Sequence, residues 1–115
     1  MGERILVANP NVLRFVITAS SSGNNEIVAA VTSPNRIIRV LSYNYVVNAA
    51  VNVAWRSGTT TVIGGLGYWD AQGKGKVCAK NEDGWFQTAA GEALNLNLSG
   101  AVSVGGEGTY ILVAG

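Results

Sequence analysis

The sequence predicts an all-β protein: a two-sheet antiparallel sandwich with about eight to ten short strands. Apolar and polar residues alternate with a period of two, which is typical of half-buried strands. Glycine, asparagine and serine separate these segments, and no segment has the apolar spacing of an amphipathic helix. Because so many half-buried strands in 115 residues need a shared core, they must pack as two sheets.

Among sandwich folds, the sequence favours a jelly-roll-like arrangement. An immunoglobulin domain would have two spaced cysteines around a tryptophan, and Cys78 is the only cysteine of the chain. A jelly roll also tolerates a long irregular segment such as the glycine-rich residues 64–83. We therefore expect one domain, residues 12–115, preceded by an N-terminal arm, residues 1–11.

Strands are predicted most clearly in the first half of the chain. Leu13, Phe15 and Ile17 fall on one face of a strand, and Trp55 lies on the apolar face of another. A Ser-Pro-Asn turn and a Ser-Gly turn separate neighbouring segments. The predicted strands here are residues 12–19, 26–32, 36–48, 50–57 and 59–63.

The second half contains a loosely patterned region and then four further predicted strands. Residues 64–83 are rich in glycine, and we expect one or two short strands with long loops there. Trp85 and Phe86 are adjacent, so on a strand they face opposite ways and one of them is predicted to be in the core. The remaining predicted strands are residues 84–90, 93–99, 101–106 and 109–114.

The composition excludes several classes of function. The chain has no histidine, so serine–histidine and cysteine–histidine catalysis and imidazole metal sites are impossible. The acidic residues Glu82 and Asp83, with Asn81, are interpreted as a solvated turn, although Asp70 and Glu92 could still share a cleft. The segment containing Lys74 and Lys76 lacks phosphate-loop spacing. We therefore predict a protein that is not an enzyme and that needs no metal or cofactor.

Charge and hydropathy argue against nucleic-acid and membrane partners. The formal net charge is only +1, too small for a surface that binds polyanions by bulk charge. The start of the chain has only a short apolar run, which predicts neither a secretory signal nor a membrane span. Cys78 has no partner for an intrachain disulfide, which fits synthesis in a reducing cytoplasm.

Uncharged surfaces and two aromatic residues point instead to binding. Tyr68 and Trp69 lie in the glycine-rich region, where they could stack on a sugar or contact a protein, although Trp69 could equally pack under its own loop. In residues 94–99 leucines alternate with asparagines and a serine. The expected outer face of small uncharged side chains is suited to close packing between subunits.

Four motifs follow one another in the second half of the chain: a Gly-Trp-Phe strand, a "GEAL" turn, an alternating Leu/Asn strand and a closing strand with Gly before Tyr. These are residues 84–86, 91–94, 94–98 and 106–110. Together with the earlier residues 36–65, they resemble the small jelly-roll-type virion proteins of tailed bacteriophages, above all capsid decoration (cement) proteins. The resemblance covers roughly residues 26–114.

The resemblance implies a homotrimer on the capsid exterior, at local three-fold positions, that clamps and stabilises the major capsid protein. Two competing predictions are a carbohydrate-binding, lectin-like module and a tail or baseplate structural component. The residues that we expect to contact the shell or a neighbouring subunit belong to the arm and to the glycine-rich region. They are Arg4, Pro10, Tyr68, Trp69, Lys74 and Lys76.

Overall fold

The computed structural model of the protein describes residues 11–64 and 66–115, and this part of the chain contains strands and turns but no helix. The all-β prediction is confirmed. The described residues also contain no helix long and apolar enough to cross a membrane. The described strands are β1 (Leu13–Ala19), β2 (Gly23–Val28), β3 (Arg36–Val47), β4 (Val51–Ser57), β5 (Thr61–Val62), β6 (Gly67–Trp69), β7 (Gly75–Cys78), β8 (Phe86–Gln87), β9 (Leu94–Leu98) and β10 (Val104–Ala114).

These strands form two antiparallel sheets packed as a sandwich. Sheet A has the order β1-β10-β3-β7, with β8 also paired to β3. Sheet B has the order β2-β9-β4-β5, with β6 also paired to β4. The chain crosses between the sheets repeatedly, and its last long strand, β10, lies between β1 and β3. This order is the one expected of a jelly-roll-like sandwich, as predicted.

The core lies between the sheets and is built by the period-two pattern. Trp55 is 1% exposed, which confirms its predicted place in the core. Phe86 packs against this core while Trp85 is exposed, so one of the two adjacent aromatics is internal, as expected. The other buried apolar side chains include Phe15, Ile17, Ile38, Val40, Tyr43, Tyr45, Val47, Val53, Leu94, Leu96 and Leu98.

The second strand begins earlier than the sequence predicts. Its two asparagines pair with a neighbouring strand instead of forming a turn. We expected a strand at residues 26–32, but β2 runs from Gly23 to Val28. Asn24 and Asn25 lie opposite β9 in the ladder. The Asn25 side chain also closes the turn after β1, since its Nδ2 donates to the Ser21 carbonyl at 2.8 Å and its Oδ1 accepts from the Ser21 amide at 3.2 Å.

The two strands predicted at residues 101–106 and 109–114 are joined in one continuous strand, β10, which begins at Val104 and not at residue 101. Glycines suggested a break between them, but each glycine is paired on both sides, by β1 and by β3. Gly108 lies opposite Phe15, and a Cβ at this position would overlap the Phe15 ring and the Ser42 carbonyl oxygen. The missing side chain therefore lets an aromatic ring of the core lie against the β10 backbone.

We predict that Gly108→Ala destabilises the fold by about 1–3 kcal/mol, because the added methyl group has no space. Gly105→Ala in the same strand is the matched control, since the nearest atom to a Cβ there, the Ile17 carbonyl oxygen, is 4.0 Å away. Guanidinium unfolding at low protein concentration measures both variants. Equal free energies of unfolding for the two variants would contradict the close approach.

Candidate interaction surfaces

One side of the sandwich gathers the glycine-rich region into two short strands. β6 pairs with β4 in sheet B, and β7 pairs with β3 in sheet A. The Trp69 Nε1 donates a hydrogen bond to the Tyr45 hydroxyl at 3.2 Å, and the two rings meet edge to face with centroids 6.1 Å apart. This contact ties the two sheets together at what we call the β6–β7 side, residues 66–78.

Tyr68 and Trp69 have different surroundings on this side. Because successive strand residues face opposite ways, Trp69 turns toward the core beside Val51, and Tyr68 turns outward beside Asn52. Tyr68 is 69% exposed. Of the two aromatic residues predicted to contact a partner, Tyr68 is therefore free to do so, whereas Trp69 is mainly a packing residue that holds β6 in place.

The two predicted lysines lie on the same side of the molecule. The Lys74 ammonium is 3.9 Å from the Asp70 carboxylate, in a solvent-exposed pair. Lys76 lies on β7 opposite Tyr45, is exposed, and makes no ion pair with any other residue in the described ranges. Exposed pairs of this kind are weak, so both ammonium groups can reach a partner. Arg4 and Pro10, with most of the expected arm, fall outside the described residues.

The outer face of sheet A is a second surface, which the sequence analysis missed. Three valines on it are exposed: Val16 by 66%, Val46 by 54% and Val77 by 82%. Each sits next to a buried residue of its own strand, so no local pattern singles it out as an outward position. Cross-strand register would have been needed to see that all three share a face.

This outer face carries two shallow grooves. One has a volume of about 590 Å³ and an uncharged lining that includes Thr18, Val46, Asn48, Gln72, Ser103 and Gly105. The other, of about 350 Å³, has charged residues at its rim, with lining residues that include Arg14, Ser42, Val77, Lys80, Glu107 and Thr109. The Arg14 guanidinium and the Glu107 carboxylate form an ion pair across β1 and β10.

The outer face of sheet B differs from what we expected of the alternating Leu/Asn strand. Asn95 is buried, and its Nδ2 donates to the Gly58 carbonyl at 2.6 Å. Asn97 donates to the Asn24 Oδ1 at 3.0 Å, and Asn24 donates to the Thr59 carbonyl at 2.9 Å. The expectation that these amides form an open docking face is therefore wrong for Asn95, because the turn after β4 folds over it.

Three acidic side chains that could have formed one site, Asp70, Glu82 and Glu92, bind separate partners. Glu92 accepts a hydrogen bond from the Ser57 hydroxyl at 2.6 Å, whereas Asp70 pairs with Lys74, so these two carboxylates bind different groups. Glu82 lies 3.4 Å from the Lys80 ammonium. No group of three potential metal-ligating side chains occurs in residues 11–64 and 66–115.

Two buried tyrosines have perturbed acidity. Burial raises the pKa of Tyr43 above its ordinary value of 10.0, and the neighbouring Cys78 raises it further. Burial also raises the pKa of Tyr45, and the hydrogen bond from Trp69 partly opposes this effect. Both phenols therefore stay neutral in the folded protein at pH values where an unfolded chain would already ionise.

We predict that the free energy of unfolding falls as the pH rises above about 10. A raised pKa in the folded state stabilises the protein below the unfolded pKa, and this contribution is lost as the pH rises toward the folded pKa. Each such tyrosine gives a slope of about 1.4 kcal/mol per pH unit in that window. In Tyr43→Phe the loss should be smaller, as measured by guanidinium unfolding between pH 8 and pH 11. An identical pH dependence in wild type and variant would refute this origin.

A proposal for the function therefore has to be based on the exposed side chains of these two surfaces. The β6–β7 side offers an exposed aromatic ring and two exposed cationic groups, and the outer face of sheet A offers valines and one uncharged groove. Comparison with known proteins adds no assignment: no family model, curated protein or solved structure matches the chain.

Proposed function

We propose that the protein is a non-enzymatic virion structural protein, a decoration (cement) protein that binds and stabilises the capsid shell of a tailed bacteriophage. The proposal places it as a homotrimer on the capsid exterior, at local three-fold positions of the major capsid protein, after synthesis in the host cytoplasm. The observation that carries the proposal is the β6–β7 side, where the exposed Tyr68 projects from β6 and the exposed Lys74 and Lys76 lie just before and on β7.

A rigid support makes this side suitable for docking. Tyr68 follows Gly67 on a strand that is paired to β4, and the next residue, Trp69, is bonded to Tyr45 in the opposite sheet. Little conformational entropy is therefore lost when Tyr68 is buried by a partner. Tyrosine is a frequent hot-spot residue in interfaces because it buries a large area and keeps a hydroxyl for hydrogen bonding.

The charges on this side indicate the character of the partner. Lys74 and Lys76 favour an acidic surface, and attraction between exposed charges is screened by salt. A contact of this size is weak for one copy. When one unit of three copies holds several adjacent shell subunits, the effective concentration of each further contact is high, and the whole unit stays bound.

We predict that Lys74→Glu/Lys76→Glu reduces binding to empty shells by about tenfold or more at low salt, because two attractive contacts become repulsive. Binding is measured by co-sedimentation with shells assembled from the major capsid protein of the same genome, over a series of salt concentrations. Wild-type binding should weaken as salt rises, while binding of the double variant should not weaken further.

Lys74→Arg/Lys76→Arg is the matched control, since it keeps both charges and should keep the salt-dependent binding. Tyr68→Ala tests the aromatic contact separately and should lower binding at every salt concentration, because its contribution is not a charge interaction. Shell binding that is unchanged in both the Glu double variant and Tyr68→Ala would overturn the assignment of this side to docking.

A carbohydrate-binding module is the second candidate function, and the position of Tyr68 favours it over a tail or baseplate role. The ring lies beside Asn52 on the outer face of sheet B, an arrangement in which a sugar could stack on the ring and hydrogen-bond to the amide. A glycan array with wild type and Tyr68→Ala tests this function. A tail or baseplate role would instead be indicated by co-sedimentation with tails and not with shells.

A further inference from the structure

We propose that β1 of one copy pairs antiparallel with β1 of a second copy about a two-fold axis, so that sheet A continues from one molecule into the next. The pairing edge is the side of β1 (Leu13–Ala19) that faces away from β10. The inference goes beyond the proposed function and is independent of it, since a two-fold contact is distinct from contacts around a three-fold axis.

The hydrogen-bond pattern of sheet A shows which backbone groups lie at this edge. The Asn48 amide donates to the Ser103 carbonyl at 3.0 Å, at the end of the ladder between β10 and β3. Because backbone groups alternate sides along an antiparallel strand, the odd-numbered residues of β10 before its bulge face β3, and the even-numbered ones face β1. These even-numbered residues lie opposite the odd-numbered residues of β1. The amide and carbonyl groups of Arg14, Val16 and Thr18 therefore point to the open edge, where no strand of the described residues pairs with them.

The β1 edge lacks the features that usually protect a sheet edge from pairing, which are charges, proline, a bulge or a short length. β7, at the other edge of sheet A, has four residues and contains Lys76. In sheet B, β2 contains Glu26 and a bulge, and β5 and β6 have two and three residues. β1 has seven residues, among them no proline and one charged residue, Arg14, and its ladder with β10 is regular. It is therefore the edge of the described strands that is best suited to take a partner strand.

One register makes this edge complementary to itself. If Val16 lies opposite Val16 of the second copy, Arg14 of each copy lies opposite Thr18 of the other. All three edge-facing residues then exchange both of their backbone hydrogen bonds, about six in total, and any other antiparallel register leaves one of them unpaired. The exposed Val16 side chains meet each other, and each Arg14 meets a hydroxyl. The two Arg14 positions are about 14 Å apart along the strands, so like charges do not meet.

The affinity of this contact comes from backbone hydrogen bonds and not from a large buried area, as when a strand is added to the edge of a sheet. One pair of seven-residue strands is a weak contact, so the dimer in solution should depend on protein concentration. The contact becomes persistent where a larger assembly holds neighbouring copies close together.

The first test uses single cysteines on β1 and a bifunctional thiol reagent too short to span about 14 Å. Cys78 is 6% exposed, so the introduced thiol is the accessible one and wild type is the blank. Val16→Cys is expected to give covalent dimers on a denaturing gel, because its two Cα atoms lie about 5.5 Å apart. Arg14→Cys and Thr18→Cys should each give little dimer alone. An equimolar mixture of these two variants should give the mixed dimer, since the two positions lie opposite each other.

A second test removes one backbone donor from the edge. Val16→Pro lacks the amide that points away from β10, so the ladder within the chain is kept while the pair between copies loses its central hydrogen bonds. Association, measured by sedimentation over a range of protein concentrations, should weaken by about tenfold or more. Val16→Thr is the matched control, because it keeps the amide and the β-branched shape and should associate like wild type. Circular dichroism and thermal unfolding check that both variants fold.

Three outcomes would overturn the inference: no dimer of Val16→Cys at the highest protein concentration, equal crosslinking of all three cysteine variants alone, or no mixed dimer of Arg14→Cys with Thr18→Cys. Unchanged association of a folded Val16→Pro would do the same. If Val16→Pro does not fold, the crosslinking pattern decides by itself. Shell binding through Lys74 and Lys76 involves a different strand, so the edge contact and the shell role can fail separately.

Discussion

The packing of the Trp55 indole between the two sheets is the contact on which the remaining structure depends. Trp55 belongs to sheet B, and its ring meets Phe15, Tyr43 and Phe86 of sheet A at centroid distances of 5.9, 5.4 and 5.5 Å. The backbone after β5 closes over it, since a Cβ on Gly64 would lie 3.0 Å from the Trp55 side chain. One large side chain thus fixes the spacing of both sheets and the path into the β6–β7 side.

Because most of the large aromatic rings lie inside the sandwich, few of them remain on its surface. Phe15, Tyr43, Tyr45 and Trp55 are all buried, and Trp69 is drawn inward by its bond to the Tyr45 hydroxyl. The outward positions are mainly small or β-branched residues and amides, with few charges. Flat faces of small side chains are suited to close packing against another protein, which is what the proposed role requires.

The period-two pattern of the sequence predicts most of the strands and the core residues. It does not predict the features of the structure that depend on contacts between strands distant in sequence. Alternation alone places Trp55 and the leucines of β9 inside. The continuity of β10 depends on its pairing with β1 and β3, which hides glycines that locally resemble turns. The burial of Asn95 depends on the turn at Gly58, and the shared face of Val16, Val46 and Val77 depends on register across four strands. None of these is a local property of the chain.

The two surfaces meet on β7. Lys76 and Val77 are neighbours on one strand, so they lie on opposite faces of sheet A: Lys76 on the face that carries Tyr45, and Val77 on the outer face. In the proposed trimer, the three copies hold their β7 strands at fixed mutual positions. Their Tyr68 and lysine side chains are then spaced by the symmetry of the trimer. A shell that repeats with the same symmetry meets all three docking sides at once, so several weak contacts reinforce one another.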